Sequence, residues 1–204
     1  MSKGPAHTPP IRLFQSEWLE RLTKISLSSF LVVWLLGLPL SVLAGSNGDL
    51  PLIEAVGLIV AGFFFWLPVE YALHRFLFHW KSKQLLVQRF VFIMHGNHHV
   101  SPNDPLRSLM PPIVSVPVGL ALRTLSVSLE PWGIWAFLGF GIGYVTYDLT
   151  HYACHQLPMN GRFGKALKRH HMRHHYVDDA ANYAVTAPLL DGLIGSKVEG
   201  LKKS

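Results

Sequence analysis

The stretch Pro131-Trp-Gly-Ile-Trp-Ala-Phe-Leu-Gly-Phe-Gly-Ile-Gly-Tyr-Val-Thr-Tyr-Asp-Leu-Thr-His-Tyr-Ala-Cys-His155 carries two messages. Its first part, Pro131–Tyr147, is uncharged and falls in the range of ~17–25 apolar residues that cross a bilayer as a helix. Its last part sets His151 and His155 four residues apart, which puts two side chains on one helical face. An apolar helix that runs into paired imidazoles predicts an all-α integral membrane protein with a metal centre at the end of its spans. Gly139, Gly141 and Gly143 leave room inside this run for another helix or a lipid chain to come close.

Three further apolar runs extend the pattern. Ile25–Ala44 is uncharged, and Leu52–Leu73 carries only Glu54 and Glu70, near its ends. Leu109–Leu129 is broken by Pro111, Pro112, Pro117 and Arg123, which predicts a kinked span or two short helices. The expectation is about four transmembrane helices in two hairpins, with residues 1–24 as a cytoplasmic N-terminal arm and 25–204 as one membrane-embedded domain. Ile25–Ala44 is too long for the ~7–15-residue apolar region of a cleaved signal peptide, although Val42-Leu43-Ala44 has the small-residue look of a cleavage site.

Basic residues orient the hairpins. Seventeen of the eighteen Lys and Arg fall before the first span, between the hairpins or after the last span; Arg123 is the exception, and the two short connections carry none. The excess of positive charge on cytoplasmic loops therefore places both termini in the cytoplasm, in an endoplasmic-reticulum or bacterial inner membrane.

Composition narrows the class. Half of the 204 residues are apolar, 15% are charged and the mean hydropathy is +0.28, against ~25% charged residues in soluble domains. The net charge of +6 is scattered, with no aromatic-interleaved basic patch or nucleic-acid motif, so no nucleic-acid partner is expected. The single cysteine, Cys154, excludes an internal disulfide and a thiolate metal cage.

Histidine is the unusual component. Ten of the twelve histidines form four clusters: His74 and His79; His95, His98 and His99; His151 and His155; His171, His174 and His175. The H-x2-H-H pattern should arise by chance about 0.04 times in such a chain, yet it occurs twice. All four clusters fall on the side that the basic residues make cytoplasmic. On a helix each H-x2-H-H can aim three imidazoles at one point, and H-x3-H two. His74 and His79 are about 140° apart on an ideal helix. They need a helix end or a distortion between them, or they serve different ions. Neutral imidazoles bind Fe, Zn, Cu and Ni well, and ten of them suit two ions with four or five ligands each. His7 lies in the arm and is not expected to be a ligand.

Carboxylates near the clusters are candidates for orienting the ligands. Glu70 precedes His74 by four residues and Asp148 precedes His151 by three, while Asp178 and Asp179 follow His175. His170 adjoins a ligand and is a candidate hydrogen-bond partner. Tyr147, Tyr152 and Tyr176 flank the clusters and are candidates for contacting a substrate head group.

Four stretches together resemble the fatty acid hydroxylase / sterol desaturase superfamily, and within it the fatty acid 2-hydroxylases. They are Glu70-Tyr-Ala-Leu-His-Arg-Phe-Leu-Phe-His79; His95-Gly-Asn-His-His99 with Arg107 and Met110-Pro-Pro112; Gly143-Tyr-Val-Thr-Tyr-Asp-Leu-Thr-His-Tyr152 with His155; and His171-Met-Arg-His-His175 with Asn182-Tyr-Ala-Val-Thr186. The resemblance covers about residues 52–196. It implies a cytoplasmic histidine-rich dimetal cap and O2-dependent hydroxylation at carbon 2 of a fatty acid or ceramide acyl chain. It implies two iron ions in catalysis, with zinc able to occupy the same sites. The same chemistry would serve a sterol, carotenoid or alkyl lipid, whereas a metal transporter would want its ligands within the spans.

The sequence departs from these relatives at His170, where a tyrosine is expected, and it carries no cytochrome b5 haem motif. It also has no Gly-x-Gly-x-x-Gly turn, so electrons are expected from a separate carrier of cytochrome b5 or ferredoxin type with its NAD(P)H reductase. Arg89, Lys165, Lys168, Arg169 and Arg173 offer that carrier a basic face. The acyl chain is expected along Phe63–Trp66 and Gly139–Gly143.

Overall fold

The computed structural model describes residues 11–43 and 50–200, and all regular structure among them is helical. The expectations for His7, for Ala44 and for the loop around Asn47 lie outside the described residues. Each apolar run forms a helix. Ile25–Ala44 gives α2 (Leu27–Leu43), which follows the short α1 (Glu17–Leu22) of the arm. Leu52–Leu73 gives α3 (Leu52–Ala72), continued without a break by a π-helical turn, Leu73–Phe78. Between the hairpins come α4 (Leu85–Val91), a second π-helical turn (Phe92–Gly96) and α5 (Asn97–Val100). Leu109–Leu129 resolves into one helix, α6 (Pro112–Val127), which runs through Pro117. Pro112 opens that helix, where its missing N–H costs nothing. Pro131–Tyr147 is the first part of α7 (Trp132–Gln156), which carries His151 and His155 on the same helix. The chain ends in α8 (Arg162–Tyr176) and α9 (Leu189–Ile194).

By length and composition one described helix, Leu52–Phe78, suffices to cross a membrane. The helices α2 and α6 are apolar but have 17 and 16 residues, and the 25 residues of α7 are diluted with glycine, tyrosine and threonine. In α2 the buried side chains are Phe30, Trp34 and Leu38, one stripe at four-residue spacing. Its Val32, Leu35, Leu36 and Leu40 point outward, as do Val60, Phe64 and Phe65 of α3 and Leu120, Leu125 and Val127 of α6. Exposed apolar faces of this kind mark contact with lipid or with a protein partner.

Gly139 and Gly143 of α7 receive a helix, whereas Gly141 borders a cavity. A Cβ on Gly139 would lie 2.0 Å from the Ile59 carbonyl oxygen, and one on Gly62 would lie 2.2 Å from that of Ala136. A Cβ on Gly143 would meet the Trp66 Cβ at 2.6 Å. The helices α3 and α7 therefore touch backbone to backbone. Arg123, the lone cation of the apolar runs, donates from Nε to the Ser41 carbonyl at 3.1 Å and so satisfies a carbonyl in the last turn of α2.

The arm is fastened by one buried carboxylate. Glu20 Oε1 accepts from Arg107 Nη2 at 2.5 Å and from Lys24 Nζ at 2.8 Å, and Oε2 accepts the amides of Leu13 and Phe14. Burial raises the pKa of Glu20, but these donors outweigh it and hold the group at about 2. A folded-state pKa below the ordinary 4.5 adds stability above pH 4.5 that is lost as pH falls through 2. The melting temperature of the detergent-solubilised protein should therefore exceed that of Glu20→Gln at pH 7, and the gap should close on acidification. A gap constant down to pH 3 would remove this role.

Candidate metal centre

The ends of α3 and α7, the starts of α2 and α6, and the helices α5 and α8 meet at one end of the bundle. The Ile25 amide donating to the Leu106 carbonyl at 3.0 Å ties the arm to the loop before α6. Here the ten clustered histidines form two groups of five: His74, His79, His95, His99 and His174, and His98, His151, His155, His171 and His175. Within each group the ligand nitrogens all lie within 4.8 Å of one another.

The two H-x2-H-H motifs do not each aim at one point. In both, the first and last histidines (His95 and His99; His171 and His175) go to one group and the middle one (His98; His174) to the other. On a helix i+3 and i+4 are about 100° apart, so two groups side by side divide the motif between them. His74 and His79 share a group because the chain between them is π-helical. Its i→i+5 bonding brings residues five apart onto one face, which is the distortion the spacing demanded. A second π-helical turn carries His95 into α5.

The nitrogens are arranged for cations. In the first group His74 Nε2 lies 3.0 Å from His95 Nε2, and His174 Nε2 lies 3.0 and 3.2 Å from those of His79 and His99. In the second, His155 Nε2 lies 3.1 and 2.9 Å from those of His98 and His171. Nitrogens bound at ~2.1 Å to one ion at right angles to each other would be ~3.0 Å apart. The tautomers agree, because a neutral imidazole has one N–H. His74 Nδ1 donates to the Tyr183 carbonyl at 2.5 Å, His174 Nδ1 to that of Ala181 at 2.7 Å, and His151 Nδ1 to that of Ser108 at 2.9 Å. Their Nε2 atoms are then bare lone pairs turned inward, and buried His151 Nε2 has no partner among the described residues. Burial first, and neighbouring imidazoles second, hold His95, His98 and His171 well below the ordinary pKa and His99 at about 2. These groups stay neutral and ligand-competent at pH 7. The residues present fit two metal ions.

The carboxylates act one step further out than the spacing suggests. Glu70 accepts the amides of Val185 at 2.7 Å and Thr186 at 2.9 Å, as well as the Thr186 hydroxyl. It touches the loop that carries Tyr183, not an imidazole. Asp148 likewise accepts the Met110 amide at 3.1 Å and the Tyr144 hydroxyl at 2.8 Å, steadying the segment whose Ser108 carbonyl takes His151. Asp178 accepts the Ala180 amide at 3.0 Å, a local turn. His170 Nε2 lies 2.9 Å from Asp191 Oδ2 and is absent from both groups of five. Asp191, Asn182 and Ser108 are the site residues that sequence reasoning missed. Asn182-Tyr-Ala-Val-Thr186 was visible as a motif, but nothing local marked its backbone as the functional part.

One cavity touches the histidines and a second adjoins it. A small one, of about 80 Å³, is lined by His95, His98 and His151 among others. A larger one, of about 350 Å³, lies between α2, α3, α6 and α7 against Trp34, Trp66, Val118, Leu122, Phe140 and Gly141, and its lining is almost wholly apolar. Phe78, Met94, Met110, Val114 and Tyr147 line both. Of the three candidate tyrosines, Tyr147 lines both of these cavities and the other two line neither; the Tyr147 ring stacks on His151 at 6.1 Å between centroids. Tyr152 instead packs on the cluster around Phe30 and Leu109, and Tyr176 is exposed with its ring 6.1 Å from that of His175. Of the expected acyl path, Trp66 and Gly141 line the larger cavity and Phe63 does not.

A helical bundle whose end carries two five-imidazole groups, each able to hold a metal ion, beside an apolar cavity defines the class of the protein. The chain belongs to the fatty acid hydroxylase family, whose sequence profile matches residues 59–196. It is 34% identical to the fatty acid 2-hydroxylase of Homo sapiens over 90% of this chain and 56% of that protein. It is 35% identical to the dihydroceramide fatty acyl 2-hydroxylase FAH2 of Arabidopsis thaliana over 94% of this chain and 81% of that one. The chain thus spans little more than half the length of the mammalian relatives. The solved structure of full-length scs7p, in which only the hydroxylase domain is visible, superposes with a TM-score of 0.79 at 32% identity, covering 92% of this chain and 73% of that one.

Proposed function

We propose that the protein is an O2-dependent hydroxylase acting on carbon 2 of a fatty acid or of a sphingolipid or ceramide acyl chain, with two iron ions held by the ten histidines. The observation that carries this reading is that imidazoles of both groups, His95 with His98 and His151, line a small cavity whose wall of Phe78, Met94, Met110, Val114 and Tyr147 is shared with a larger apolar one. A chain lying in the larger cavity would present its polar end, and the carbon next to it, to the histidines. The names of the relatives support the same position and substrate class.

Bound at these sites, redox-active ions would supply the oxidising power to break an unactivated C–H bond with O2, which no side chain can do. Zinc fits the ligands but has no redox chemistry, so it would mark the site without supporting turnover. The chain's own residues hold the ions and fix the imidazole tautomers through Tyr183, Ala181 and Ser108. The neck of Phe78, Met94, Met110, Val114 and Tyr147 excludes water and aligns the acyl chain. Each turnover consumes one O2, two electrons and two protons and releases one water. The electrons come from a separate cytochrome b5 or ferredoxin-type carrier with an NAD(P)H reductase, docked on the basic face of Arg89, Lys165, Lys168, Arg169 and Arg173.

Helices α2, α3, α6 and α7 form the four spans of this reading, with the histidines and both termini cytoplasmic. The outward apolar belt and the basic loops support it. A reporter inserted at Asn47 is expected to read non-cytoplasmic and one after Ser204 cytoplasmic; a cytoplasmic Asn47 reporter would refute the hairpins. The activity itself is tested by lipid mass spectrometry of cells expressing wild type or His171→Ala. Wild type should raise 2-hydroxy acyl chains and the variant should not. Hydroxylation at another position, or of a sterol or carotenoid alone, would overturn the substrate assignment.

A further inference from the structure

The loop Ala181–Thr186 meets the first histidine group through two backbone carbonyls and through the Tyr183 ring, which lies 5.8 Å from that of His74 and 5.6 Å from those of His79 and His174. Ala181 and Tyr183 give their carbonyls to His174 and His74, two ligands contributed by different helices. A loop that aims two imidazoles must itself be held, and this one is held by buried side chains. Asp191, fully buried, accepts the Tyr183 amide on Oδ1 at 2.9 Å and the Ala184 amide on Oδ2 at 2.8 Å. The same carboxylate takes the Ser196 hydroxyl at 2.7 Å and His170 Nε2 at 2.9 Å. Asn182, at φ 56°, sits in the left-handed region that asparagine tolerates. Its side-chain amide clasps the backbone of Val198, donating at 2.9 Å and accepting at 2.7 Å. Glu70 holds the far end of the loop. Among the described residues no atom of this brace hydrogen-bonds a histidine of the second group; it comes nearest at His170, which precedes His171 on α8. In that second group His151 leans on Ser108, and the buried Nδ1 atoms of His98, His155, His171 and His175 have no partner among the described residues.

We infer that Asp191 is a positioning residue for the first metal site alone: by fixing the Tyr183 and Ala184 amides it aims the His74 and His174 imidazoles. The inference rests on the two-metal reading above. Outer partners of ligating histidines are worth roughly 10–100-fold in metal affinity, and here one carboxylate governs two ligands.

Metal content of the purified full-length protein, loaded with iron or cobalt and dialysed against a competing chelator, tests it. Wild type should retain close to two ions per chain and Asp191→Asn about one. In a His74→Ala background, which lacks the first site, Asp191→Asn should remove nothing further. In a His171→Ala background it should remove the remaining ion. Glu70→Gln, acting on the other end of the loop, should repeat this pattern, and Asp191→Glu should restore part of the lost binding. Wild type without metal would sink the two-metal reading itself. Two ions in wild type and still two in Asp191→Asn would overturn this inference and leave that reading standing. Equal loss from both sites, or failure of both variants to yield a monodisperse protein, would assign Asp191 to folding and also overturn it.

Discussion

Alanine at His98 or at His174 is expected to abolish 2-hydroxylation and to lower the bound metal by about one ion per chain. These two histidines are the strongest test of the interleaved arrangement, because each sits in a motif whose other members serve the opposite group. Both are buried, and His174 is pinned through Nδ1 to the Ala181 carbonyl. The lost nitrogen leaves a space that no neighbour can fill at ligand distance, and a change in the ligand set alters the electronics of the remaining metal as well as its affinity. The drop in product should exceed the 10–100-fold typical of outer-sphere changes. Metal analysis and lipid mass spectrometry on the same preparations decide the matter. Full occupancy with full activity in either variant would strike that residue from the ligand set.

The second large effect is expected in the bundle. Gly139→Ala should destabilise the protein by about 1–3 kcal/mol, the usual cost of overpacking, because its new Cβ would fall 2.0 Å from the Ile59 carbonyl oxygen. Backbone cannot step aside as a flexible side chain can, so α3 and α7 must part. Gly62→Ala meets the Ala136 carbonyl oxygen at 2.2 Å and should behave alike. A Cβ on Gly57 in α3 would have nothing within 4 Å; alanine there should be neutral or stabilising by up to ~1 kcal/mol through helix propensity. Thermal melts in one detergent give the comparison. Equal melting temperatures for Gly139→Ala and Gly57→Ala would show that the helices do not meet through their backbones.

Hydropathy made the four main helices legible, because each is an apolar run bounded by charges or turns. It could not tell a helix-receiving glycine face from a lipid-receiving one, since both require only small residues. The ten clustered histidines were legible from spacing, and so was the need for a distortion between His74 and His79. The division of each H-x2-H-H between two ions was not. Helical geometry permits three imidazoles to converge, and only the position of neighbouring helices decides whether they do. Glu70 and Asp148 stood out by proximity in sequence, yet their partners lie 115 and 38 residues away. Their influence passes through peptide groups, which carry no residue-specific signal. Asp191 was invisible for the same reason. Nothing in Leu189–Ile194 hints that its one carboxylate holds a turn beside a histidine group.

The interleaving has a consequence for how the chain is held together. The end of α3 and its π-helical turn contribute only to the first group, through His74 and His79, and α7 only to the second, through His151 and His155. The segment His95–His99 and helix α8 contribute to both. With both sites filled, the two hairpins are cross-linked through this shared pair, as two buckles on one strap. Closing so many residues between His74 and His174 removes chain entropy from the unfolded state much as a disulfide does, and metal binding becomes folding free energy. A chain with one cysteine, whose apolar helices would have little reason to associate within a bilayer, would thus obtain its covalent-like staples from imidazole and metal.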